Sequence, residues 1–592
     1  MPDPANAKTG YNRLLLVVAG LGGLLYGVDV GIIAGALPYL EATSGLNAGQ
    51  LSFVVAAVLL GSVFSTLVAG MLADRIGRKR LMAASGALFV ASIPVIALSH
   101  GYGPLILGRL LQGVSAGLIG VVVPLYLAEC LSASTRGKGT GTFQWLLTLG
   151  IVAAAVIGMY FSIEVANVAK LHDPALLLAS KDSAWRSIFW VSLPPGVLFV
   201  AGSLMVAESP RWLHRRGRIA DARAALLRSR PEATAEAELE EMNRSATADR
   251  KAGGAPGGRP RDSLLRRKYV VPFALACIIL ACNQATGINS IIGYNTAILL
   301  QAGLTDVQAH WGYVILTLTN FLLTMVGVFL VDRIGRKMLL SVGSAGIILS
   351  LAAVGVVFRS TEKLNVDCRD AVQSNVSPSQ TATIRFDADA AKSLLHAAGH
   401  VGGAIERGPV TLIVIYSYAG FRAATSVVRS DDESAPPISI SRDGCVPSNG
   451  VVAFFSNPFA SLREARMAPL RIERALVTPV PSEAKGWVTA GFIFCFIAFF
   501  AVGPGVCVWL ALSELMPTRI RSNGMSAALL VNQAVSTLIA ASFLPAVGRF
   551  GYSAAFFSFA ACTVIYFVTA TFFLPETKGK TLEEIERHFE GF

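Results

Sequence analysis

The sequence predicts an all-α membrane protein of twelve transmembrane helices arranged as two pseudo-symmetric six-helix halves. Three observations lead there. The 592 residues are 53% hydrophobic and only 15% charged, against about 25% charged in soluble proteins, and the mean hydropathy is +0.57. Twelve apolar runs are each long enough to cross hydrocarbon, which takes about 20 helical residues. Charged landmarks between those runs occur twice, in the same order.

The runs cover 14–38, 51–73, 81–99, 104–130, 139–162 and 187–207, then 269–300, 310–331, 338–358, 486–515, 523–547 and 552–574. Met1 to Arg13 is short and polar, and the run behind it is too long for a signal peptide, so it reads as an uncleaved first span. An even span count places both termini on one side. Arg75, Arg78, Lys79 and Arg80, then Arg136 and Lys138, then Arg333, Arg336 and Lys337, then Arg519 and Arg521 all fall on that side. The positive-inside rule makes it cytoplasmic. The chain is thus expected in a plasma or bacterial inner membrane. The net charge of +12 reads as topology and contact with anionic lipid headgroups rather than nucleic-acid binding.

The expected organisation is a first six-helix half at 1–207, a cytoplasmic helical linker at 208–268, spans seven to nine at 269–359, an extracytoplasmic insertion at 360–484, and spans ten to twelve with a tail at 485–592. The linker holds two helix-forming stretches, Ala220–Arg230 and Ala233–Arg244, and a flexible piece, Gly253–Pro260. The insertion contains Pro436-Pro437 and a strand-like run, Val410–Tyr418. Its Cys368 and Cys445 are candidates for a disulfide, because the outside compartment is oxidising. The other six cysteines lie in apolar runs and read as small packing residues.

The repeat locates the insertion. Asp74-Arg-Ile-Gly-Arg-Lys recurs at Asp332, 258 positions on. Glu129 with Arg136 recurs as Glu514 with Arg521, 385 positions on, and Glu208-Ser-Pro-Arg211 recurs loosely at Glu576, 368 positions on. The jump in offset puts a large insertion between Asp332 and Glu514. The later fall puts a smaller extra piece in the first half near 163–185.

These residues resemble the sugar porter family of the major facilitator superfamily. The resemblance rests on Gly22-Gly-Leu-Leu-Tyr-Gly-Val-Asp29, the two Asp-Arg-Ile-Gly-Arg-Lys motifs, Gly108-Arg109, Pro124, Tyr126, Glu129 and Arg136-Gly137, and Glu208-Ser-Pro-Arg211. The second half adds Gln284-Ala-Thr-Gly-Ile-Asn289, Asn320, Gly503-Pro-Gly with Trp509 and Glu514, and Pro575-Glu-Thr-Lys-Gly-Lys. Ala207, Asn283 and Gly293 stand where the family usually has Pro, Gln and Tyr. The resemblance implies a major facilitator fold and a proton-coupled hexose or pentose symporter working by alternating access. The alternatives are a sugar uniporter or a transporter-like sugar sensor. The implied partners are a monosaccharide, protons and lipid, with no cofactor, and the protein is expected to work as a monomer. No P-loop, nucleophile elbow or histidine cluster supports an enzyme.

Charges inside a span are costly and suggest function. Asp29 lies mid-span, and Arg109 in the fourth span is its expected partner, together forming a proton-coupling pair. Gln144, Gln284, Asn289, Asn320 and Gln533 are amides inside apolar spans, each offering a donor and an acceptor to sugar hydroxyls. Trp509 offers a ring face. Asn283, Tyr26 and Gly505 complete the expected sugar site. Thr148-Leu-Gly150 is expected to allow close helix approach. Arg75, Glu129, Arg136, Glu208 and Arg211, with Arg333, Glu514, Arg521 and Glu576, are expected to form two symmetric gate clusters on the cytoplasmic side.

Overall fold

In hydrocarbon no water bonds the backbone, so each apolar run must satisfy its own N–H and C=O groups as a helix. The computed structural model of the chain has twelve helices long and apolar enough to cross a membrane. It describes residues 4–589 apart from 132, 254–266, 401–404, 406–407, 433–434, 448–449, 451–452, 454–456, 458, 516–520 and 577–588. The side chains of 4–9, 133–141, 245–253, 267–268, 332, 509–514, 521–523 and 526 also lie outside the described residues.

Spans 1 to 5 are Pro4–Ser44, Ala48–Ile76, Arg78–Ala97, Tyr102–Cys130 and Ala133–Ala169. Span 6 is broken into Pro174–Trp190 and Leu193–Met205, at the Pro194-Pro195 step. The extra piece near 163–185 lengthens spans 5 and 6 on the side away from the termini. Between the halves run Pro210–Arg215, Ile219–Ser229 and Glu232–Gly253.

In the second half, span 8 is Asp306–Ile334, span 9 Arg336–Glu362, span 11 Arg521–Phe550 and span 12 Tyr552–Val568. Span 10 is Glu483–Val502 with Pro504–Leu515. Span 7, expected as one helix, is three: Arg267–Ala285, Ile288–Gly293 and Asn295–Gln301. The break falls at Gly287, whose φ is +81° and where a Cβ would sit 2.5 Å from the Phe559 ring. Only glycine suits both the angle and the space.

Span 1 lies against span 5 along Gly23, Gly27, Gly31 and Gly35, a small residue every fourth position. A Cβ at Gly150 would sit 2.3 Å from the Leu24 carbonyl oxygen. Backbones touch here, as the Thr148-Leu-Gly150 motif suggested, and any side chain would part the helices.

The insertion folds around its own apolar core. Strands β1 (Val366–Asp367), β7 (Leu470–Pro479), β3 (Val410–Tyr418) and β4 (Phe421–Ala424) form an antiparallel sheet in that order, with β5 (Val428–Arg429) also on β3. β2 (Ala382–Ile384) and β6 (Ile438–Ile440) form a separate pair. The strand-like run Val410–Tyr418 is β3 to the residue. The insertion packs on the second half through Ala424 and Ile413, over Gly548 of span 11. It reaches the first half through polar groups. Asn47 Nδ2 donates to the Gly444 carbonyl at 2.6 Å, Lys181 Nζ pairs with Asp432 at 3.0 Å, and the Val427 N–H donates to the Glu41 carboxylate.

Cys368 and Cys445 are both free thiols, so the expected disulfide is not made. Cys368 donates its N–H to Ala475, whereas Cys445 bonds at Tyr418, opposite Leu470. Five residues of β7 separate those points, roughly 16 Å at about 3.3 Å per residue, and a disulfide needs Cα atoms within about 7 Å. Burial pushes both thiols up to about 11.

Candidate functional site

Span 1 carries Asp29 into the middle of the bundle at 1% exposure. Neither carboxylate oxygen has a hydrogen-bond partner among the described residues. Arg109 and Tyr26 are within Coulombic reach. The expected direct Asp29–Arg109 ion pair is not made. Arg109 lies two turns inside span 4, also 1% exposed, and its guanidinium is engaged elsewhere. Nη1 donates to Gln112 Oε1 at 2.6 Å, Nε to the Val54 carbonyl at 3.4 Å, and the group stacks over Phe189. Gln112 went unread in the sequence, though its place one turn after Arg109 is a usable signal.

The break at Gly287 folds span 7 back far enough to join two of the predicted amides. Asn289 Nδ2 donates to Gln284 Oε1 at 2.9 Å and to Ser536 Oγ of span 11 at 2.7 Å. Gln533 lies one turn before Ser536, half-buried on the same helix. Ser536 was missed, because a lone hydroxyl in an apolar run is also common packing. Asn283 is buried with its Oδ1 unpartnered. Across the bundle, Trp145 of span 5 stacks on Phe321 of span 8 with centroids 5.5 Å apart. That contact sets exposed Gln144 and half-buried Asn320, each next in sequence to one of the rings, at one level of the bundle. Tyr26 lies against Gly120. Gly505 is half-buried just after the Gly503-Pro504 break in span 10. The Trp509 side chain lies outside the described residues.

The face carrying the termini has a buried charge cluster, with a membership that corrects the sequence reading. Arg78, not Arg75, is its centre. Arg78 is 1% exposed. Its Nε lies 2.9 Å from Glu129 Oε2, and its Nη2 lies 2.7 Å from Asp74 Oδ1. Ser209 Oγ donates to Glu129 at 2.5 Å. Glu208 Oε1 accepts the N–H groups of Arg78 and Lys79 at 2.9 and 3.0 Å, closing the start of span 3. This places a carboxylate on the positive end of a helix. Glu576 repeats the arrangement on Arg336 and Lys337 at 3.1 Å each. Arg75 and Arg211 are exposed, and Arg333 stacks over Phe329 at 3.9 Å. The signal for Arg78 was present, since Arg336 repeats it at the same offset. The side chains of Arg136, Glu514 and Arg521 lie outside the described residues.

On the opposite face the halves are bonded to each other. Thr296 Oγ1 donates to the Ala34 carbonyl, and Tyr313 Oη to the Gly31 carbonyl at 2.9 Å. The Leu544 N–H donates to Ser52 at 3.1 Å. Tyr39 Oη donates to Asp306 Oδ2 at 2.6 Å. His310, fully buried, sits between Asp306 and the Gly35 carbonyl, with its ring stacked on Tyr39. His310 thereby ties span 8 to span 1. Every direct hydrogen bond between described residues of the two halves lies on this face.

The profile of the family described as "Sugar (and other) transporter" matches residues 15–375 and 468–589. Among curated proteins, the human proton myo-inositol cotransporter is 27% identical over 98% of this chain and 82% of its own length. Inositol transporter 4 of Arabidopsis thaliana is 28% identical over 99% and 93%. The galactose-proton symporter of Escherichia coli is 24% identical over 99% and 97%. Among solved structures, the E. coli xylose transporter in a partially occluded inward-open conformation superposes with a TM-score of 0.61 at 17% identity, over 96% of this chain and all of that one. Its inward-open form gives 0.61 at 20% identity, over 97% and 98%. The chain belongs to the sugar (and other) transporter family and carries the major facilitator fold.

Proposed function

We propose that this transporter couples the movement of a monosaccharide or a related polyol to a proton, by alternating access. The observation that carries the reading is Asp29. It is a carboxylate in a membrane span with no hydrogen-bond partner for either oxygen among the described residues, within Coulombic reach of Arg109 but not bonded to it. A fixed structural acid is normally tied down by donors; a carrier must take up and release its proton. Arg109 sets the balance between the two forms without locking either. Curated relatives named for proton-coupled inositol and galactose movement support the same reading.

The substrate site is the amide set Gln144, Gln284, Asn289, Asn320 and Gln533, with Asn283, Tyr26, Gly505 and Trp509 around it, reached in turn from either face. In this reading the face with the termini is cytoplasmic, the insertion is outside, and the clusters centred on Arg78 and Glu576 close the inner face when the outer one opens. The test is uptake of labelled monosaccharides and inositols into proteoliposomes, with and without an inward proton gradient. Accumulation should need the gradient. Asp29→Asn should abolish accumulation and retain substrate exchange. Equilibration indifferent to the gradient in the unaltered protein would leave a uniporter, and Asp29 a structural residue.

A further inference from the structure

β3 is apolar for nearly its whole length, as in a strand covered on both faces. Leu412, Val414, Tyr416 and Tyr418 face the insertion's core. Thr411, Ile413 and Ile415 face the other way, toward the ends of spans 7, 9, 11 and 12, and a cavity of about 620 Å³ lies between. That volume falls within the usual range for small-molecule sites, about 300–1,000 Å³.

The cavity wall is charged by a local device. In β7, Arg474 pairs with Ile415 and Ile472 with Tyr416, so Glu473 is an extra residue in the ladder. The bulge reverses the strand's alternation. Leu470 and Ile472 face the core before it, Ala475 and Val477 after it. Neighbours Glu473 and Arg474 therefore both line the cavity. Bulges re-aim side chains in this way. The facing wall adds Arg359 and Arg549, with Glu362.

The carboxylates are already committed. Glu473 pairs with Arg422 at 2.8 Å. Glu362 accepts the N–H and hydroxyl of Ser553 at the start of span 12. Arg359, Arg474 and Arg549 form no ion pair among the described residues, although all three line the same space. Guanidinium groups match the oxygens of a phosphate or carboxylate.

We infer that this cavity, between the insertion's sheet and the outer ends of the spans, binds an anion of phosphate chemistry through Arg359, Arg474 and Arg549. Its occupant joins the insertion to the second half of the transporter. The phosphate comes either from a free small molecule or from a lipid headgroup at the membrane surface.

The experiment uses the full chain, purified in neutral detergent and titrated with inorganic phosphate while sodium chloride holds ionic strength constant. A second arm places it in nanodiscs of phosphatidylcholine with or without phosphatidylglycerol. Thermal unfolding is read in both. A saturable rise with phosphate identifies a free anion, and a rise confined to phosphatidylglycerol identifies the headgroup. In either case Arg474→Gln with Arg549→Gln should weaken the response about tenfold, while proton-driven uptake persists. Binding untouched by the double variant, or no response to either probe in the unaltered protein, would overturn the site.

Discussion

At the face carrying the termini, charged side chains bond within their own half: Arg78 with Asp74 and Glu129, Glu208 with the start of span 3, Glu576 with the start of span 9. At the opposite face the bonds run between halves: Tyr39 to Asp306, His310 to Gly35, Tyr313 to Gly31. If the halves rock apart, as the proposed alternating access requires, the first kind survives and the second kind breaks. In this state the bonds within each half hold that half's own fold, and the bonds between halves hold the insertion face closed.

The largest effect is expected at the first kind. Arg78 is almost wholly buried, and Glu129 is its buried counter-charge. Removing one partner of a buried pair leaves an uncompensated charge and costs about 3–5 kcal/mol. Glu129→Ala should therefore lower the unfolding temperature of the detergent-solubilised protein steeply. Asp74 is 64% exposed, and its contribution is under about 1 kcal/mol, so Asp74→Asn should move it little. Equal losses from the two would remove the distinction between a buried structural cluster and a surface one.

A smaller effect is expected at the second kind, on state rather than stability. Tyr39→Phe keeps the ring stacked on His310 and removes one hydrogen bond to a carboxylate, worth about 1.5–3 kcal/mol. The population open on the insertion face should rise about ten- to hundredfold. Distance labels on the insertion-face ends of spans 1 and 8 would read it. An unchanged distance distribution would show that Asp306 finds an equivalent partner and that Tyr39 is not part of the closure.

The sequence made the fold legible because spans announce themselves by length and apolarity, and the repeat located the insertion by offset alone. β3 was legible for the same reason, being a run of branched and aromatic residues. The break in span 7 was not, since Gly287 inside an apolar run reads equally as packing until Phe559 is found against it. Of the candidate site, residue type was legible, and two of the amides read from it, Gln284 and Asn289, bond each other. Partner choice was not. Arg109 was matched to Asp29 by charge, whereas three-dimensional reach gave it Gln112 and the Val54 carbonyl. Arg75 was chosen over Arg78 though both repeat, because sequence does not show which side of a helix turn is buried. The disulfide failed on distance, which no spacing in the chain encodes.

The insertion sharpens the same comparison at its smallest scale. It is tied to the second half by chain connection and by apolar packing at Gly548, and so travels with that half. Its grip on the first half is polar, through Asn47, Glu41 and Lys181. Such bonds break and remake easily, and they fall on the face whose opening must break them. The Lys181–Asp432 pair is partly exposed, 13% and 34%, so its contribution is within about 1 kcal/mol. Lys181→Ala should therefore raise the open population on that face about two- to fivefold. It should leave the unfolding temperature nearly unchanged and steepen the salt dependence of nothing else. Raising ionic strength on the unaltered protein should produce a shift in the same direction, because salt screens this pair and leaves the buried Tyr39 contact intact. If Lys181→Ala shifts the population no further than salt alone, both act on one pair. If it shifts nothing, the insertion rides on the second half without holding the first.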